Sequence, residues 1–271
     1  MKIMNRYEAA FSKAEKRGER AFIPFAVAGD PNQEMFLDVI DAYVKGGADV
    51  LEIGFPFSDP VADGPVNQRA SQRAIANGLN HSAFFSIIKK IRLKSDIPIG
   101  VLLYANTVTH LGTDEFCKRA AAAGIDSILV ADMPPEESHD LGLSMRKHGI
   151  GRVFIVSEFT PDERMRYICR HVDSFVYVVS RPGITGVDTQ LSASVKTTLS
   201  RLKKVTDKPL AVGFGISTPN HVREVSKAGA HGVIVGSALV TEIEKCALKG
   251  TNPSSILKKK VKELKSATSF K

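Results

Sequence analysis

Eight short runs of β-branched and other apolar residues recur along the chain, and a longer stretch separates each from the next. No other feature restricts the fold as much. The runs occupy residues 22–27, 50–55, 99–104, 127–131, 152–157, 175–179, 210–213 and 232–235. Their near-continuous apolar character predicts parallel strands buried on both faces, not half-exposed antiparallel ones. Amphipathic spacing between them predicts helices over 34–45, 84–93, 114–123, 136–147, 193–204 and 220–228. Strands and helices in alternation define the α/β class.

A weak internal repeat supports the alternation. Lys45-Gly-Gly-Ala-Asp-Val-Leu-Glu-Ile53 resembles Ala122-Ala-Gly-Ile-Asp-Ser-Ile-Leu-Val130 and Lys227-Ala-Gly-Ala-His-Gly-Val-Ile-Val235. Each sets a glycine where a helix must stop in the left-handed conformation, just before a buried strand. Eight βα units favour a closed (β/α)8 TIM barrel. The early Gly-x-Gly-x-x-Gly turn of a doubly wound sheet is missing. A length of 271 residues suits one such barrel, ordinarily about 250 residues. The expected organisation is a single domain: an extra N-terminal helix, a barrel over about 20–245 and a basic C-terminal helix over about 254–266.

The net charge of +8 suits an anionic ligand and raises the question of nucleic acid. Much of the excess lies in 258–265, with no interleaved aromatic residues to stack on bases, so a solvated helix face is expected there. Cys117, Cys169 and Cys246 show no paired spacing, which fits reduced thiols and a cytoplasmic location. The charged N-terminus carries no apolar secretory core, and no run approaches the roughly 20 apolar residues of a membrane span.

In a barrel the chemistry belongs on the loops after the strands' C-terminal ends. There the chain sets glycine turns, Gly213-Phe-Gly215 and Gly236-Ser237, whose backbone amides suit a phosphate; they also suit plain tight turns. None of the seven histidines falls at a strand end, and no lysine does. That disfavours a Schiff base and a histidine-held metal. Carboxylates remain. Glu52 interrupts an otherwise apolar strand, where an ionisable group is costly unless used or paired. Period-2 alternation groups it with Val50 and Gly54, opposite Leu51, Ile53 and Phe55, so it faces the barrel mouth or pairs structurally with a cation. Asp63, in Pro60-Val-Ala-Asp-Gly-Pro65, reads equally as an acid or a turn former.

Leu51-Glu-Ile-Gly-Phe-Pro-Phe-Ser-Asp-Pro-Val-Ala-Asp-Gly-Pro65 closely resembles the signature of tryptophan synthase alpha subunits. The likeness continues, in family order, through Pro24-Phe-Ala-Val-Ala-Gly-Asp-Pro31, Tyr104-Ala-Asn106, Asp132-Met-Pro134, Ser180-Arg-Pro-Gly-Ile-Thr-Gly186, Gly213-Phe-Gly-Ile-Ser217 and Gly236-Ser-Ala238. The resemblance implies a lyase that splits indole-3-glycerol phosphate into indole and glyceraldehyde 3-phosphate, without metal or covalent intermediate. It implies Glu52 as general acid–base and Asp63 as the acceptor of the indole N–H. Phe22, Leu102, Leu129, Ile155 and Tyr177 match the indole pocket. Gly186, Phe214, Gly215, Gly236 and Ser237 match the phosphate site, and Thr185 matches a lid residue, on the loop 181–188, that meets the aspartate. The implied partner is a beta subunit in a linear alpha2beta2 heterotetramer, with Ser58, Asp59, Pro60 and the 106–110 region at the contact. Pyridoxal phosphate then belongs to the beta subunit, and this chain needs no cofactor of its own.

The chain departs from the family at Phe175, where many relatives carry a second tyrosine, at Phe55, bulkier than the usual aliphatic residue, and at Pro182 in the lid. These bear on pocket shape and lid motion. Two other classes stand beside the lyase. Another phosphate-binding barrel enzyme is disfavoured by the missing strand-end histidine and lysine. A non-catalytic homologue that only activates its partner is disfavoured by the presence of both acids.

Overall fold

In the computed structural model, which describes residues 6–179 and 190–270, the apolar runs form one sheet of parallel strands. Among the described residues these are β1 (Ala21–Val27), β2 (Leu51–Gly54), β3 (Ile99–Leu103), β4 (Ser127–Val130), β5 (Gly151–Arg152), β6 (Phe154–Ser157), β7 (Val176–Val179), β8 (Leu210–Gly213) and β9 (Gly232–Val235). Their spatial order is β5-β4-β3-β2-β1-β9-β8-β7-β6. The two ends of the sheet, β5 and β6, are halves of the single strand expected over 152–157. β5 pairs with β4, β6 pairs with β7, and Val153 between them donates its N–H to the Ile128 carbonyl at 3.1 Å. The barrel closes there, and the eight βα units hold with the fifth strand changing neighbours at its middle.

The helices are α1 (Arg6–Lys16), α2 (Gln33–Gly46), α3 (Pro65–Ala76), α4 (His81–Arg92), α5 (Ala105–Thr109), α6 (Thr113–Ala123), α7 (His139–Lys147), α8 (Asp162–His171), α9 (Gln190–Leu202), α10 (Pro219–Lys227), α11 (Ser237–Leu248) and α12 (Ser254–Ser266). The seventh starts later than the expected residue 136. Ser138 gives both its N–H and its hydroxyl to the Pro135 carbonyl, at 3.2 and 2.8 Å, closing a turn there first.

Alternation along each strand sorts side chains into two layers. Leu51, Ile53, Val101, Ile128, Val176, Val178, Val212 and Val233 face the helices. Ile23, Val50, Leu129, Val153, Phe175, Tyr177, Ala211 and Ile234 fill the barrel. The N-terminal helix α1 joins this inner layer, its Tyr7 and Phe11 rings lying 5.5 and 6.2 Å from Phe175.

The repeat acquires a physical reason. Gly47 and Gly124 end α2 and α6 in the left-handed conformation, at φ 103° and 93°. Two residues on, Asp49 accepts the N–H of Phe22 at 2.9 Å and Asp126 that of Ile99 at 2.8 Å. In the third copy His231 Nδ1 accepts the N–H of Leu210 at 3.0 Å. Each thus ties the start of a strand to the base of the next, and Asp173 does the same for Arg152 without belonging to the repeat.

The basic terminal helix is a packed element. Leu257, Val261 and Leu264 are buried, and a Cβ on Gly46 of α2 would stand 2.6 Å from Val261. Lys265 pairs with Asp49 and Glu19, at 2.7 and 2.9 Å, and Lys260 with Glu242 at 3.0 Å. Among the described residues no helix is long and apolar enough to cross a membrane.

Candidate active site

At the C-terminal ends of the strands a cavity of about 130 Å³ is lined by Phe25, Glu52, Asp63, Gly64, Asn67, Leu102, Tyr177, Phe214, Gly215, Ile216, Ile234, Gly236 and Ser237. Glu52 stands on β2 between Phe25 on β1 and Gly100 on β3, and it is 6 % exposed. Among the described residues no side chain hydrogen-bonds its carboxyl, so no cation compensates for lost water. Burial, reinforced by the negative charge of Asp63, pushes its pKa up to about 8. A carboxyl in this state holds its proton at neutral pH and can act as an acid.

Asp63 reaches the same cavity from the loop before α3. Tyr104 donates its hydroxyl to Asp63 Oδ2 at 3.1 Å and receives the N–H of Ala62 at 3.0 Å. Asn67 Nδ2 approaches Oδ1 at 3.4 Å, and Gln68 Nε2 donates to the Asp63 carbonyl at 2.9 Å. Burial raises this carboxyl above the ordinary aspartate range, while Tyr104 and Asn67 oppose the rise. The two acids therefore differ: one is bare and apolar-walled, the other held by donors.

Two strand-end glycines make room for the aromatic walls. A Cβ at Gly54 would stand 2.7 Å from the Phe25 ring, and one at Gly213 would stand 2.4 Å from the Tyr177 hydroxyl. At the far end of the cavity Phe214 and Gly215 both have left-handed backbones, at φ 73° and 71°. For a bulky residue such as Phe214 that conformation is strained, a condition that collects at functional sites. Successive left-handed turns and the N-terminus of α11, whose N-cap Gly236 offers no side-chain cap, present backbone N–H groups suited to an anion.

The expected residues separate on inspection. Leu102, Tyr177, Phe214, Gly215, Gly236 and Ser237 line the cavity with both acids. Phe22 does not: it is fully buried in the outer layer against the helices. Its parity on β1 is opposite to that of Phe25, three residues on, which lines the cavity instead. Leu129 lies one layer deeper, beside Glu52, Tyr7 and Phe175. Ile155, 36 % exposed, lines a neighbouring cleft with Ala131 and Asp132. Thr185, Gly186, Pro182 and the rest of the 181–188 loop lie outside the described residues. Phe55 packs outward on His81 and Phe84, with ring centroids 4.9 and 4.6 Å away, and leaves the cavity untouched. Ser58 and Asp59 are exposed and bonded to each other, whereas Pro60 is buried. Sequence reasoning misses Tyr104, Asn67 and Ile234 as site residues, although Tyr104 opens the Tyr-Ala-Asn motif after β3.

A closed parallel α/β barrel with two unlike carboxyls in a cavity at its strand ends defines a barrel enzyme of the acid–base type. A family profile described as tryptophan synthase alpha chain matches residues 11–269. The tryptophan synthase alpha chain of Methanoregula boonei is 46% identical over 243 residues, 90% of this chain and 91% of that one. That of Shewanella amazonensis is 44% identical over 268 residues, 98% and 100% of the two chains. The solved alpha subunit of Legionella pneumophila superposes with a TM-score of 0.89 at 32% identity, covering 98% of this chain and 99% of that one. A chain of the Pyrococcus furiosus tryptophan synthase a2b2 complex gives 0.85 at 38%, covering 91% and 98%. The chain belongs to the tryptophan synthase alpha chain family.

Proposed function

We propose that the chain cleaves indole-3-glycerol phosphate to indole and glyceraldehyde 3-phosphate, the alpha reaction of tryptophan synthase in L-tryptophan biosynthesis. The observation that carries this reading is the meeting of Glu52 and Asp63 in one cavity whose other end is walled by Gly215, Gly236 and Ser237. The phosphate sits on the backbone amides of that end. The indole ring lies among Phe25, Leu102, Tyr177 and Ile234.

Glu52 enters the reaction protonated, as its pKa of about 8 requires. It delivers the proton to indole C3, and the positive charge that develops on the ring is met by Asp63, which accepts the indole N–H. The Glu52 carboxylate then takes the proton of the glycerol hydroxyl next to the ring. As that oxygen becomes the aldehyde carbonyl, the carbon–carbon bond breaks and its electron pair restores the neutral indole. Glu52 ends protonated, ready for another cycle.

The same reading assigns the chain a pyridoxal-phosphate-bearing beta subunit in an alpha2beta2 assembly, no cofactor of its own and a cytoplasmic location. Exposed Ser58 and Asp59, on the loop that carries Asp63, are the proposed contact together with Pro60. The free thiols of Cys117, Cys169 and Cys246 fit a reducing compartment. The purified chain should release indole from indole-3-glycerol phosphate slowly alone and faster with a tryptophan synthase beta subunit. Absence of indole under both conditions overturns the proposal.

A further inference from the structure

We infer that Arg73, held between Asp30 and Glu244, is a positioning residue that sets the distance between Asp63 and the phosphate end of the cavity. The assignment rests on the reaction proposed above. Arg73 lies on α3, the helix that begins two residues after Asp63, and Asn67 and Gln68 in its first turn hold Asp63. Any shift of α3 therefore moves the acid.

The guanidinium spends all three of its nitrogens on carboxylates. Nε and one terminal nitrogen bind the two oxygens of Asp30, at 2.8 and 3.0 Å. The other terminal nitrogen binds Glu244 Oε1 at 2.7 Å. Asp30 is fully buried and lies three residues beyond β1, the strand that carries Phe25. Glu244 lies two turns into α11, the helix whose first residue is Ser237. Arg69, one turn earlier on α3, adds a second fork to Glu244 with both contacts at 2.8 Å. Three walls of the cavity, on β1, α3 and α11, thus converge on one planar donor set. A lysine cannot copy that fork.

A linkage of this kind matters for a substrate that spans the cavity, and much less for a ligand that occupies one end. Misplacement of an acid by about 1 Å costs on the order of 100-fold in rate. The test compares the native chain with Arg73→Lys and with Glu244→Gln. The second variant leaves the buried Asp30–Arg73 pair intact and so guards against failure to fold. Each protein is assayed for kcat and KM on indole-3-glycerol phosphate, for binding of glycerol 3-phosphate and of indole separately, and for Tm. Positioning is supported if kcat falls about 10- to 100-fold in both variants while each half-ligand binds within about threefold of native. Unchanged kcat overturns it. So does a loss of kcat that comes only with loss of half-ligand binding or of fold, which marks a structural role. No turnover by the native chain overturns the reaction itself, and the positioning role with it.

Discussion

Glu52 is a residue whose cost and proposed use are the same property. Its strand would be more stable without an ionisable group, and the apolar walls that raise its pKa to about 8 also make it an acid at neutral pH. The raised value has a sign for stability. The native state holds a proton that the unfolded chain has released between about 4.5 and about 8, so stability falls as pH rises through that window. Each pH unit of the window costs about 1.4 kcal/mol, so the whole effect is on the order of 5 kcal/mol at most. Glu52→Gln should therefore unfold at higher denaturant concentration than the native chain above pH 8 and converge with it in acid; equal midpoints at alkaline pH would show that the carboxyl is not desolvated. The same variant should lose about 100- to 10,000-fold in turnover. Asp63 has the opposite proposed role, accepting the indole N–H. Asp63→Asn should lower kcat without a comparable loss of glycerol 3-phosphate binding, and parallel losses of both would contradict its proposed role. Glu52 was legible from sequence because a lone acid in an apolar strand is conspicuous. Asp63 was not, since an aspartate in a Pro- and Gly-rich loop has the look of a turn; Tyr104, which holds it, comes from 41 residues away.

Strands and helices were the most legible elements, and their misreadings have physical causes. Near-continuous apolar runs mark both faces as buried, yet they do not say which residue faces inward. Phe22 and Phe25 differ only in parity on β1, and parity is set by how β1 registers with β2 and β9. The break at Val153 follows from barrel closure between β4 and β7, a long-range demand that no local pattern carries. The terminal helix α12 was readable as basic, but its seat on α2 was not. That seat depends on Gly46, where an added methyl would collide with Val261. Gly46→Ala should cost about 1–3 kcal/mol through overpacking, read as a lower urea midpoint with an unchanged m-value. A variant as stable as the native chain would show that α12 is loosely held.

Across the whole molecule the barrel divides its labour between its two ends. The N-terminal end is stapled by Asp49, Asp126, Asp173 and His231 and plugged by α1, and its residues act on stability. The C-terminal end gathers β1, β2, β3, β7, β8, β9, α3 and α11 around one cavity, the proposed substrate site. The fold class could be read from alternation alone, and the glycine turns at the strand ends from sequence. The span between Asp63 and the glycine turns, which decides whether one molecule can reach both, exists only in the assembled barrel. The most direct test of the account is release of indole from indole-3-glycerol phosphate by the native chain and by Glu52→Gln, followed from neutral to alkaline pH. Indole is expected from the native chain, with kcat/KM that falls as pH rises through about 8, and almost none from the variant. A Glu52→Gln chain that releases indole at the native rate, with the same pH dependence, would contradict it.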